Sequence, residues 1–307
     1  MNHDLFSPVR RDEKRFGWST AAAMLVLAVL SAVLFHRQSA YEMVDFHVHM
    51  NIAGSFDFAD LHTITSRLAY PLWHLLVSVI YQLGVPLAAA AVSVTVLCKL
   101  ITYLLAYWMV DVMTRHQLRR WVLSFLVLAL LILTGLWIPQ VAPFVYKGVG
   151  SPNVWHNPTQ LAVTAAMLMV MPWLCHCWYA FEVKLSAGEE NITLPWWKVI
   201  VLAVLCMGSL ACKPTFMQAL LPAAFVMYLA ELIRRRKEWR YFGQIVLAFL
   251  PAAAYFLLQY LYYTGVVVEF TSGVEIGITL DSAWKAIRNT LMMSACPLAA
   301  LAVCWRC

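Results

Sequence analysis

The sequence predicts an all-α polytopic membrane protein with about eight transmembrane helices and a long first outer loop carrying juxtamembrane helices. Three observations lead there. The 307-residue chain is 62% hydrophobic and 12% charged, where soluble domains are about 25% charged. Several apolar runs exceed the ~18 residues that read as a bilayer span, and the alternating pattern of a membrane β-barrel is absent. The Lys and Arg side chains gather in short clusters between those runs, as positive-inside sorting predicts. The net charge of +6 is therefore a topological signal, and nucleic acid is not an expected partner.

The elements follow in order. Residues 1–16 carry Arg10, Arg11, Lys14 and Arg15 and are predicted to stay in the cytoplasm. The first span, Gly17–Phe35, is 19 residues long, longer than the ~7–15 apolar residues of a cleaved signal. It reads as a retained anchor. The outer loop is residues 36–84. Within it, Leu68–Leu83 is apolar but short and is interrupted by Pro71 and His74, so it reads as a juxtamembrane or re-entrant helix. If it crossed, Arg115, Arg119 and Arg120 would fall outside.

Further spans are expected at Val85–Val110, Trp121–Trp137, Gln160–Phe181, Lys198–Cys212, Phe216–Ile233, Tyr241–Tyr263 and Thr290–Trp305. Outer loops cover Pro139–Thr159 and Gly265–Arg288. On this map inner segments hold fourteen Lys and Arg and outer segments six. The Asn191-Ile192-Thr193 sequon falls inside, so it reads as incidental. The chain stops at Trp305-Arg306-Cys307 as the eighth span completes, which predicts a truncated product that is poorly active alone.

Side-chain chemistry concentrates in the first outer loop. It holds three of the seven Asp and five of the nine His. Glu42–Ala53, EMVDFHVHMNIA, reads as an interfacial helix. At ~100° per residue, Glu42, Asp45 and His49 share one narrow stripe, and Asp45 and His49 are i,i+4 neighbours. The bland alternative is a solvated loop.

Outside that loop, Lys147 can meet a headgroup or a substrate phosphate, or simply snorkel. Asn157 or Thr159 can cap the fourth span with Pro158 in its first turn. Capping leaves Trp155-His156 unexplained. Lys213, before Pro214, sits near a helix C-terminus, where a cation also compensates the dipole. Lys99 lies inside a span, where charge is a functional hint. The eight Cys lie mostly in apolar runs. Cys175-His176-Cys177 lacks a second ligand pair, and no metal, cofactor or disulfide framework is expected. Phosphate-binding glycine loops and HExxH are absent.

The layout and the short motifs together resemble the GT-C superfamily of membrane glycosyltransferases. The matching pieces are Asp45-Phe46-His47-Val48-His49, Tyr70-Pro71-Leu72-Trp73-His74, the loop Ser151–Thr159 and Lys213-Pro214-Thr215. The resemblance covers nearly the whole chain as a single domain, residues 1–307. The first loop lacks Asp-x-Asp; a single acidic residue also serves in the family.

The resemblance implies a polyprenyl-phosphate sugar donor held in the lipid bilayer and an acceptor glycan, lipid or protein of unspecified identity. It implies transfer on the outer face of a bacterial cytoplasmic membrane. Asp45 would be the general base, Lys147 and Lys213 the donor-phosphate ligands, and Glu42, His49 and His156 supporting residues. A transporter or flippase for a lipid-linked or amphipathic solute would use the same polar cavity without chemistry. Inverted repeats would favour it, and none is evident.

Overall fold

A computed structural model of the chain describes residues 17–42, 44–60, 70–132, 155, 157–263 and 284. Among these residues the secondary structure is helical and no strand occurs. The helices are α1 (Trp18–Ser39), α2 (Asp45–Gly54), α3 (Leu72–Gln82), α4 (Leu87–Met113), α5 (Arg120–Ile132), α6 (Pro158–Ser186), α7 (Trp196–Cys212), α8 (Thr215–Arg234) and α9 (Trp239–Tyr263). A 3-10 turn at Arg236–Glu238 leads into α9.

Five helical stretches are long and apolar enough to cross a membrane: Trp18–Ser39, Leu87–Met113, Pro158–Ser186, Thr215–Arg234 and Arg236–Leu261. This is coarser than the eight spans expected. Two predicted spans form shorter helices within the described residues, α5 and α7. The 17 residues of α7 reach about 25 Å at ~1.5 Å per residue, because Lys213-Pro214 stops the helix. The eighth predicted span lies outside the described residues. The reading of Leu68–Leu83 as non-spanning fits α3, whose 11 residues cover only about 16 Å.

The buried side chains form two clusters. The first joins α1, α2, α3, α4 and α5 with the start of α6, around Phe35, Phe46, Trp73, Tyr103 and Trp155. The second joins the rest of α6 with α7, α8 and α9, around Phe181, Leu202, Met217 and Tyr241. The long α6 runs through both, contributing Leu161–Val163 and Ala166 to one and Val170, Leu174, Cys177 and Phe181 to the other. Buried hydroxyls bind helices within the first cluster: Thr20 Oγ1 lies 3.1 Å from Ser124 Oγ, and Tyr103 Oη donates to the Ser124 carbonyl at 3.2 Å. Such polar contacts hold helices together where lipid removes the hydrophobic drive.

The short helices α2 and α3 cover one end of the first cluster. Phe46, Met50 and Ala53 make the buried face of α2 at helical spacing. Phe46 stacks on Phe35 at 5.2 Å and meets the Trp73 edge at 6.1 Å. Gly54 closes α2 against the start of α4. A Cβ there would come within 2.6 Å of Leu87 Cδ2, so a larger residue would push Leu87 aside.

The opposite end is charged. Arg235 pairs with Glu182 at 2.9 Å and with Glu231 at 3.0 Å, and Arg234 pairs with Glu231 at 2.8 Å. Asp45 and Lys213 thus share one end of the bundle, and Glu182, Glu231 and Arg235 the other. The turn 191–195 is fastened there by α9 and the 3-10 turn. Glu238 accepts from Ile192 N–H at 2.8 Å, and Gln244 both accepts from Leu194 N–H and donates to its carbonyl, at 2.7 and 2.9 Å.

Candidate functional site

Helix α2 starts at Asp45, three residues later than the sequence suggests, so Asp45 is its first helical residue. A carboxylate is favoured there by the unpaired backbone N–H groups. His49 lies one turn on. Glu42 stands before the helix, exposed, and the helical stripe does not extend to it. Instead Glu42 lines an open cleft of about 450 Å³ with His47, Val48, Asn51 and Ile52, on another side of α2. His47 Nδ1–H donates to the Ser39 carbonyl at 2.6 Å, tying α2 to the end of α1.

The residue that organises the site is Asn157. Its Oδ1 accepts from the backbone N–H of Thr159 at 3.0 Å and of Gln160 at 3.2 Å, and from Thr159 Oγ1 at 2.6 Å. It is the N-cap of α6, with Pro158 in the first turn, as expected for this residue type. Those bonds fix the amide, and its Nδ2 faces α2. There it donates to Asp45 Oδ2 at 3.0 Å and to His49 Nε2 at 3.3 Å.

This orientation sets the protons along the row. With the Asn157 Nδ2 donor facing it, His49 Nε2 is the accepting nitrogen. Nδ1 then carries the proton and donates to His74 Nε2, 2.9 Å away. His74 therefore carries its own proton on Nδ1. That atom is buried and, among the described residues, has no hydrogen-bond partner. Phe56 and Trp73 pack around the His74 ring at 6.1 and 5.2 Å. Burial, and secondarily the nearby His49, hold His74 well below the ordinary histidine range. The two rings are held as an oriented couple.

Lys213 lies between α7 and α8 and is half-buried. Burial lowers its affinity for a proton, and the Asp45 carboxylate acts the other way. One carboxylate and one cation thus occupy the same end of the bundle within electrostatic reach.

Of the predicted site residues, the structure brings Asp45, His49 and Lys213 together and places Glu42 apart. Lys147 and His156 lie outside the described residues. Sequence reasoning missed two members. Asn157 was legible as a helix cap and His74 as an interruption of an apolar run; both fall in the short motifs that carry the resemblance, but neither had a role in the site. Metal-binding groups of three or more His, Cys, Asp or Glu do not occur among the described residues. Comparison with family models, curated proteins and solved structures found no match to this chain.

Proposed function

We propose that this chain is a GT-C-type membrane glycosyltransferase that moves a sugar from a polyprenyl phosphate to an acceptor hydroxyl, with Asp45 as general base. The observation that carries the reading is the pairing at one end of an apolar bundle: a half-buried carboxylate oriented by Asn157, and a partly buried Lys213 near it. A group transfer from a lipid phosphate needs those two charges together. Asp45 takes the acceptor hydroxyl proton as that oxygen bonds to the anomeric carbon. The bond from that carbon to the phosphate oxygen breaks, and the electron pair leaves with the polyprenyl phosphate. Lys213 neutralises the charge that grows on it.

Asn157 holds Asp45 in place, and His49 meets the same Asn157 amide. The reading includes the eight-span topology, with residues 1–16 in the cytoplasm and the site on the outer face of a bacterial cytoplasmic membrane. It keeps Lys147 as a second phosphate ligand and His156 as a supporting residue, on sequence grounds.

The test is label transfer from a panel of polyprenyl-phosphate sugars in membranes containing the protein. Asp45→Asn keeps the shape and the Asn157 contact and removes the basicity. Transfer is expected to fall about 10²–10⁴-fold, the usual worth of a general base, with donor binding little changed. Asp57→Asn and Asp60→Asn are matched controls. Wild-type transfer by Asp45→Asn overturns the assignment. Movement of an intact lipid-linked solute, with no glycosidic bond made, would favour the transporter reading instead.

A further inference from the structure

We propose that Lys99 is a positioning residue for this site, holding the Trp155 indole so that Asn157 meets Asp45. The inference rests on the transferase reading only where activity is the readout.

Lys99 sits midway along α4 and is 2% exposed. A lysine inside a spanning helix is costly unless its ammonium is engaged. Among the described residues its contacts are two. Its Nζ donates to the Leu131 carbonyl at 3.4 Å, and it lies 4.0 Å from the centroid of the Trp155 ring. A desolvated cation over an indole face is the strong form of this interaction.

Trp155 is held on its other sides as well. Its Nε1–H donates to the Ile132 carbonyl at 3.2 Å. Its own carbonyl accepts from Gln38 Nε2 at 2.9 Å, and its ring lies 6.0 Å from that of Phe35. Four elements therefore meet at Trp155: α1 through Gln38 and Phe35, α4 through Lys99, α5 through Ile132, and the chain entering α6. Two residues later stands Asn157, whose amide reaches Asp45 and His49. Phe35 also stacks on Phe46, the neighbour of Asp45. The indole thus supports both halves of the Asp45–Asn157 contact, and the lysine charge supports the indole.

The variants are Lys99→Met, which keeps an apolar stem of similar length, Lys99→Arg, which keeps a cation, and Trp155→Phe. Protein carrying 5-fluorotryptophan gives a ¹⁹F resonance for Trp155, assigned by its loss in Trp155→Phe. Histidine ¹⁵N shifts, with His49 assigned through His49→Gln, report whether His49 keeps its proton on Nδ1. Lys99→Met is expected to move the Trp155 resonance and shift His49 toward a mixture of tautomers, and Lys99→Arg to restore both. Trp155→Phe should disturb His49 in the same way.

In the transfer assay Lys99→Met and Trp155→Phe should each lower turnover about 10–100-fold, the scale of a displaced catalytic group. The double variant should be no worse than either. Unmoved Trp155 and His49 signals in Lys99→Met overturn the proposal, as do losses that multiply in the double variant. If Lys99→Met does not fold, the Lys99→Arg and Trp155→Phe spectra decide. Absence of transfer by the wild type would overturn the transferase reading alone, because the two resonances still judge the clamp.

Discussion

At the scale of single residues, Asn157 does two jobs with the two ends of one amide, and they can be separated. Asn157→Asp keeps the oxygen that caps α6 but replaces the donor facing Asp45 with a like charge. It is expected to retain most thermal stability and lose transfer. Asn157→Ala loses the cap too, at a cost of about 1 kcal/mol. Thermal midpoints and transfer rates measured side by side separate the two jobs, and wild-type transfer by Asn157→Asp would show that the Nδ2 contacts do not matter.

His74 makes a pH prediction. An unfolded chain protonates this residue as pH falls through about 6.5, whereas the folded protein resists until well below that. The stability tied to its burial is therefore complete above about pH 6.5 and is lost as pH falls through the window beneath it. Thermal unfolding of wild type from pH 7.5 to 5 should show this slope, and His74→Phe should flatten it. An unchanged slope in His74→Phe would assign the effect to another group.

At the scale of elements, most helices were legible because each is an apolar run ended by Pro, Gly or a charge cluster. Their ends were less so. Helix α2 begins at Asp45, and not at Glu42, because Phe46, Met50 and Ala53 set the face it buries. Periodicity alone cannot choose which turn of an unbroken run is the first.

The turn 191–195 illustrates what local sequence hides. Nothing there announces that Leu194 exchanges two hydrogen bonds with Gln244, 50 residues away. Gln244→Leu strands a buried N–H and a buried carbonyl. Each unpaired group costs on the order of 1–3 kcal/mol, so a loss of about 2 kcal/mol or more is expected in denaturant unfolding. Glu190→Gln, on the exposed surface nearby, should be neutral.

At the scale of the whole molecule, the bundle has two unlike ends, and the proposed topology, with fourteen Lys and Arg inside and six outside, gives them an orientation to test. With the exposed Cys175 replaced, Glu42→Cys should react with an impermeant thiol reagent in intact cells. Arg119→Cys and Glu189→Cys should react only after permeabilisation. The reverse pattern would invert the map and move the candidate site to the cytoplasmic face.

By itself the sequence determined that this is a helical membrane protein, that its first loop is rich in titratable groups, and that α3 is too short to cross. These are properties of composition and run length, and they survive any packing arrangement. Asp45, His49 and Lys213 could be singled out one at a time, because a polar side chain beside an apolar run is visible in one dimension. Only the tertiary structure decided which of them meet. Asn157 lies 112 residues from Asp45, His74 lies 25 from His49, and Lys213 comes from the junction of two other helices. The physical reason is that a hydrogen bond needs two partners within about 3 Å, and separation along a chain says nothing about that distance until the helices between have packed.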